Sequence, residues 1–290
     1  MEKKDSSQHP CCRVIVWAAF LVLTAGVSSV SAQFPYPGAR YDRGQDISPT
    51  FDGWESNPDG TFSMYFGYYN RNAEEEVDVP IGPENNFDLG DGDQGQPTHF
   101  YPGRRWFVFK VVVPKDWPKD KRLVWTLINR GRTNLSKGWL QPEWEVDQLL
   151  ISKDAVSDSF LRTSNSNPTA DNMAPVIKGG PPQTITLPAT ATLTATATDD
   201  GLPKPGPGDR GGQVEGVRIR WILYRGPGKV QFEPVVSPAV YGKPLKTETK
   251  VSFTAPGKYW IREIATDGAM FSTYDVNVDV KPSTSADESR

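Results

Sequence analysis

Apolar and polar residues alternate with a period of two along most of this chain, in short runs cut by Gly, Pro, Asn and Asp. Successive side chains of a strand point to opposite faces, so such runs predict half-buried β-strands rather than helices. "ATATLTATA" (189–197) puts Ala191, Leu193, Ala195 and Ala197 on one face and threonines on the other. "VRIRWILY" (217–224) turns Val217, Ile219, Trp221 and Leu223 inward and Arg218 and Arg220 outward. "FSTYDVNVDV" (271–280) sends Val276, Val278 and Val280 to the core, and "TFSMYFGYYN" (61–70) does the same with Phe62, Met64, Phe66 and Tyr68. Only "EWEVDQLLIS" (143–152) reads as a short helix. The many short strands between turn residues predict an all-β chain built as sandwiches.

A polar stretch without periodicity, "SDSFLRTSNSNPTADN" (157–172), divides the pattern. The expected organisation is an N-terminal β-sandwich module over 33–156, a polar linker over 157–173, and a second, immunoglobulin-like sandwich over 174–282. A disordered tail is expected over 283–290. Residues 1–32 read as an N-terminal signal peptide helix. Lys3, Lys4 and Arg13 precede the 14-residue apolar run "VIVWAAFLVLTAGV", and Val30, Ser31 and Ala32 supply the small residues of a cleavage site. That run is short for a bilayer, which needs about 20 apolar residues, so no stable membrane span is expected after cleavage. The implied location is exported; that it is periplasmic or at a bacterial cell surface is what the resemblance given below implies.

Both cysteines, Cys11 and Cys12, fall in the leader, so the remainder is expected to hold no disulfide, thiolate nucleophile or cysteine-based metal site. Removing three basic and two acidic residues with the leader moves the formal net charge from −3 to −4. That weak acidity argues against nucleic acid as a partner.

Two resemblances follow from the residues. FGYxNxN (66–72), VxxPxGxxNxF (77–87), GQPTxFxPG (95–103) and VWTL (124–127) occur in the order found in a β-module of multi-domain bacterial surface proteins. That resemblance, over roughly 47–131, implies architecture and location but no reaction. The C-terminal half resembles immunoglobulin-like and PKD-like modules. Its "TAPGKY" (254–259) places Tyr259 where such domains form a tyrosine corner.

The search for chemistry yields little. His99 is the one histidine outside the leader, and its neighbours "QPTHFYPG" suggest a structural residue in a turn. Asp88, Asp91 and Asp93 sit among glycines without the order of an EF-hand loop, and a flexible acidic hairpin loop is expected there. Strand parity sends Glu263 to the core, where a lone carboxylate is costly, so a partner among Arg218, Arg220 and Arg262 is expected. Trp54, Trp117, Trp139 and Trp144 lie in turns and are candidates for a carbohydrate platform.

The sharper candidate is a pole. Asn172 precedes the first strand of the second sandwich, Asp199 and Asp200 open its B–C loop, and Asp267 opens its F–G loop. All four should gather at the end facing the N-terminal module. Ala197-x-Asp199-x-Gly201-x-Pro203 is similar to a cadherin calcium motif, although cadherins carry theirs late in the domain. The resemblance implies calcium, while Asp and Asn also favour turns by bonding their own backbone; both readings stand. Overall the chain reads as a non-enzymatic adhesive, structural or ligand-binding module with a surface protein or polysaccharide as partner. The alternative is a carbohydrate-binding accessory protein or a component of a polysaccharide-active enzyme.

Overall fold

The computed structural model describes residues 40–155, 158–161, 169–204 and 216–283. The leader expected over 1–32 and nearly all of the tail expected over 283–290 lie outside the described residues. Among the described residues no helix is long and apolar enough to cross a membrane.

The chain is all-β, in two sandwiches. In the first, β1 (Ile47–Ser56), β2 (Phe62–Asn70) and β6 (Gly103–Val113) form one antiparallel sheet in the order β1-β2-β6. β4 (Asn85–Phe87), β7 (Leu123–Asn129) and β8 (Arg132–Gly138) form the other, with a small β3 (Val77–Asp78) and β5 (His99–Phe100) pair beside them. The inner faces meet in aromatics. Phe66 and Phe87 lie 5.1 Å apart edge to face, and Trp125 stacks on Phe87 at 5.8 Å. Large rings at offset or edge-on angles fill such a core at high apolar area per residue.

The ordered motifs of this half have a mechanical explanation. Asn70 Nδ2 donates to the Glu75 and Phe100 carbonyls, and Asn85 Nδ2 to those of Val79 and Pro97. Gln96 Nε2 donates to Gly92 O at 2.8 Å, and Trp125 Nε1 to Asn85 Oδ1 at 3.0 Å. These amides are fully buried. They stand in for the ladder that loop backbone lacks, since a buried carbonyl without a donor is costly.

The second sandwich has β9 (Val176–Gly179), β11 (Ala191–Thr198), β14 (Leu245–Phe253) and β13 (Val230–Glu233) in one sheet, ordered β13-β14-β11-β9. β10 (Gln183–Thr186), β16 (Phe271–Lys281), β15 (Gly257–Thr266) and β12 (Arg218–Arg225) form the other, ordered β10-β16-β15-β12. The first edge splits between the sheets and β10 runs parallel to the last strand. That order is the immunoglobulin-like one expected for this half. The alternating faces of β11 and β12 are buried as read, with Trp221 set against the alanines of β11 in one cluster. Tyr259 Oη donates to Ala255 O at 2.7 Å, closing the tyrosine corner.

The short helix begins later than expected. A 3-10 turn covers Pro142–Trp144 and α1 covers Gln148–Asp154, capped by the Asp147 side chain on Leu150 N at 2.7 Å. α1 covers the outer face of β2. Tyr65, Phe107, Ile151, Leu161 and Ile264 form a third apolar cluster, which spans the two sandwiches.

The two sandwiches touch through polar contacts as well as through the third cluster. The described residues from 41 onward belong to one compact unit. Asp158, within the expected linker, is buried and accepts from Arg105 Nη1 at 2.8 Å and Trp106 N at 3.3 Å. Arg225 grips Asp93 through both Nη atoms at 2.9 and 2.7 Å. Leu223 N donates to Tyr101 Oη at 2.9 Å, and Arg262 reaches the Val108 carbonyl while holding Asp275. The Arg225–Asp93, Leu223–Tyr101 and Arg262–Val108 contacts join residues more than 100 positions apart, which no local pattern reveals.

Candidate functional site

Three of the four pole residues share one distinguishing property. Asn172 is 7% exposed and Asp267 3%; among the described residues Asn172 Oδ1 has no partner, while Asn172 Nδ2 lies beside the Asp267 carboxyl without closing a well-formed hydrogen bond to Oδ2. Asp199 keeps a buried, unpartnered Oδ1 as well. Their remaining oxygens shape the loops. Asp267 Oδ1 accepts from Ala269 N and Met270 N at 2.7 and 2.6 Å, and Asp199 Oδ2 from Gly201 N at 2.9 Å. Asp200 differs: it is exposed, with Oδ2 on Met173 N and Oδ1 on Leu202 N. Both its oxygens serve turns, which leaves it tying the first strand's entry to the B–C loop.

Burial pushes the Asp267 carboxyl up to about 6; the two amide donors oppose this, neighbouring Asp199 adds to it, and Asn172 tempers it. Burial also raises Asp199, with Asp200 contributing. Two carboxyls, one raised by the charge of the other, beside an amide carbonyl form an acceptor-rich pocket that a cation would neutralise. The donor set is small. Among the described residues no group of three or more His, Cys, Asp or Glu is placed to hold a metal, so an ion here would take two carboxylates, Asn172 and further oxygens. The F–G loop at this pole is fastened to the N-terminal half, as the topology predicts. Ser152 Oγ of α1 donates to Ala269 O, and Thr266 Oγ1 to Leu161 O at 2.7 Å.

The four tryptophans separate. Trp54 and Trp117 are corrected as platform candidates: both are buried, with Nε1 on Gln141 O at 2.7 Å and Lys121 O at 3.1 Å. Trp54 lies on β1, paired opposite Met64, rather than in a turn, and only Trp117 sits in a loop, which folds back over the core. Trp144 is 43% exposed and stacks on Phe51 at 5.6 Å, while Trp139 is half-buried with Arg122 over its ring at 5.2 Å.

Glu263 is wholly buried as parity predicts, but the expected arginine does not reach it. Arg262 turns to the opposite face of β15 and takes Asp275. Glu263 Oε1 instead accepts from Trp221 Nε1 at 3.0 Å, and Oε2 has no partner among the described residues. Burial, opposed by that hydrogen bond and aided by Asp275, pushes its carboxyl up to about 7. A β-carbon at Gly179 would collide with Oε2, which is why the facing strand carries glycine there.

His99 is structural, but not through ring stacking alone. Nδ1 lies 2.7 Å from Asp78 and Nε2 3.3 Å from Glu76, with Tyr101 edge-on at 4.6 Å. Burial would lower its pKa, yet the two carboxylates outweigh it and raise it to about 9, so the ring is an imidazolium at neutral pH. The acidic loop is likewise ordered: Asp88 Oδ1 accepts from Val124 N at 2.8 Å and Asp93 holds Arg225. The expectation of a flexible loop failed because its partner sits on β12, in the other sandwich.

No family model matches the sequence, and no curated protein matches it. Solved structures similar to it include a human PKD domain at 19% identity, which covers 44% of this chain and all of that one with a TM-score of 0.23. A Porphyromonas gingivalis protein of unknown function is 10% identical, covering 81% of this chain and 98% of that one at a TM-score of 0.26. The fibronectin(III)-like modules of Clostridium thermocellum CbhA are 11% identical, covering 84% and 99% at a TM-score of 0.25. The sheet order described above, rather than these likenesses, defines the fold.

Proposed function

We propose that this chain is a non-enzymatic, exported β-sandwich module that acts in adhesion, structure or ligand binding at a bacterial surface or in the periplasm. In this reading a calcium ion seats at the pole formed by Asn172, Asp199 and Asp267. The observation that carries it is the meeting of three buried acceptor atoms from separate segments, Asn172 Oδ1, Asp199 Oδ1 and Asp267 Oδ2, that have no well-formed hydrogen bond among the described residues. Unsatisfied carboxylate oxygens at a loop junction cost stability unless a cation meets them. The partner is then a protein or polysaccharide presented to a rigid two-sandwich body.

The test is thermal. Binding only the folded state adds RT ln(1 + [L]/Kd), about 2.7 kcal/mol at a hundredfold excess over Kd. The melting temperature should rise with millimolar calcium and fall back with chelator. Asp199→Asn with Asp267→Asn should abolish the rise, and protonation of Asp267 should weaken it below about pH 6. A melting temperature indifferent to both calcium and chelator would leave these residues as turn formers only.

A second reading, a carbohydrate-binding accessory role, is favoured by the exposed ring of Trp144 near Trp139 in sequence. Retention on an insoluble glycan that disappears in both Trp139→Ala and Trp144→Ala would select it, and turnover of any glycan would overturn the non-enzymatic reading.

A further inference from the structure

Beside β12, where the two sandwiches meet, lies an open cleft of about 770 Å³. Volumes of that order hold small-molecule ligands. His99 and Tyr101 line it from the N-terminal sandwich, Phe160 from the connecting segment, and Arg220, Lys229 and Lys250 from the second sandwich. We infer that this cleft binds an acidic saccharide, with Arg220 gripping the carboxylate of a uronic acid unit. The inference rests on the binding-module reading and gives it a ligand class; it is separate from the cation pole.

The argument begins with Arg220. The half-buried or buried arginines Arg104, Arg105, Arg225 and Arg262 each hold a carboxylate, on Asp52, Asp158, Asp93 and Asp275 respectively. Arg220 is half-buried too, but among the described residues its guanidinium has no hydrogen-bond or ion-pair partner. It lies 4.9 Å from the centre of the Phe160 ring, which Arg105 also covers at 3.7 Å. Burial and then the like charge of Arg105 both depress its pKa. The nearby Asp158 cannot serve it fully. Its oxygens are already engaged by Arg105, by Trp106 N and by Phe160 N. A planar guanidinium with free donors matches a carboxylate in a bidentate pair better than any other common anion-binding side chain does.

The surroundings favour an acid. Glu76 lines the cleft but is spent on the His99 imidazolium, as is Asp78. Glu233 stands opposite Lys250 in the β13–β14 register, which leaves Arg220 and Lys229 without a matching negative charge in the wall. They also favour a sugar over a bare ion. Tyr101 and Phe160 pack edge to face at 5.1 Å and present apolar surface beside the guanidinium. The far wall carries Gln231, Ser252 and Thr254, short neutral groups suited to hydroxyls.

Calorimetric titration with trigalacturonate tests this, beside the neutral galactose trimer and triglutamate. Saturable 1:1 binding of the uronate is expected, with no heat from the neutral sugar. Arg220→Met should weaken it at least tenfold, and Arg220→Lys should recover only part, because an ammonium lacks the fork. Circular dichroism and the calcium response of each variant report folding; should Arg220→Met not fold, Lys229→Glu, on the rim, must weaken uronate binding instead. The inference is overturned by no uronate binding, by equal binding of the neutral trimer, by an unchanged Arg220→Met, or by tighter binding of triglutamate, which would make the ligand an acidic peptide. A calcium response that persists when uronate binding fails would leave the pole intact and remove only the cleft.

Discussion

Glu263 concentrates the energetic tension of the second sandwich in one side chain. Its carboxyl rises from an ordinary 4.5 to about 7 because it is buried with a single donor. The folded state therefore binds the proton more tightly than the unfolded state. The associated stability is full below about pH 4.5 and is lost as pH climbs through 7, at roughly 1.4 kcal/mol per unit and about 3 kcal/mol in all. Glu263→Gln removes this titration. Urea unfolding of the variant should lose less stability than wild type between pH 5 and 8, and parallel profiles would show that water or rearrangement already satisfies the acid. His99, raised to about 9, has the same sign in a later window, full below about pH 6.5 and lost through 9. Parity along β15 revealed that Glu263 points inward. It could not reveal Trp221 Nε1 as its partner, because that contact crosses 42 positions.

At the scale of single elements, β2 is unusual because both its faces are covered. Met64, Phe66 and Tyr68 fill the first core, while Tyr65 joins the cluster under α1. Gly67 lies where the β2–β6 register shifts. A β-carbon there would strike the Arg105 carbonyl and the Asp52 carboxylate. Backbone cannot swing aside as a flexible side-chain end does, so Gly67→Ala should cost about 3 kcal/mol, read as a lowered urea midpoint. A midpoint within experimental error of wild type would mean that the strand can part from its neighbour without penalty. Period-two reading found one face of this strand. The second face stayed hidden because its cover, α1 and β15, comes from later in the chain.

For the whole molecule, the two sandwiches behave as one mechanical body because their contact joins an apolar cluster to paired polar groups. Arg262 holds Asp275 by two bonds at 2.8 Å, reaches Val108 O and lies 3.6 Å over the Tyr224 ring. Removing the buried Arg262 strips the half-buried Asp275 of its ion pair and the Val108 carbonyl of a donor, so Arg262→Met should cost about 3 kcal/mol. Wild type should unfold in one calorimetric transition, and the variant at lower temperature or in two steps. Two resolved steps in wild type would show that each sandwich folds alone. The same body sets both proposed sites, the pole through Ser152 and Thr266 and the cleft through Tyr101 and Phe160.

The sequence alone determined what depends on neighbours one or two residues away. Alternation named the strands and their inward faces, turn residues marked the loops, and parity buried Glu263. The topology those strands imply brought Asn172, Asp199 and Asp267 to one end. Tertiary structure decided what depends on distant pairing. It sent Arg262 to Asp275, spent Asp200 on turns, buried Trp54 and Trp117, locked Asp93 to Arg225, and left Arg220 without a carboxylate among the described residues. The physical reason is range. Side-chain direction along a strand follows from backbone geometry within two residues, whereas the partner of a buried charge is set by which segments the whole fold brings together.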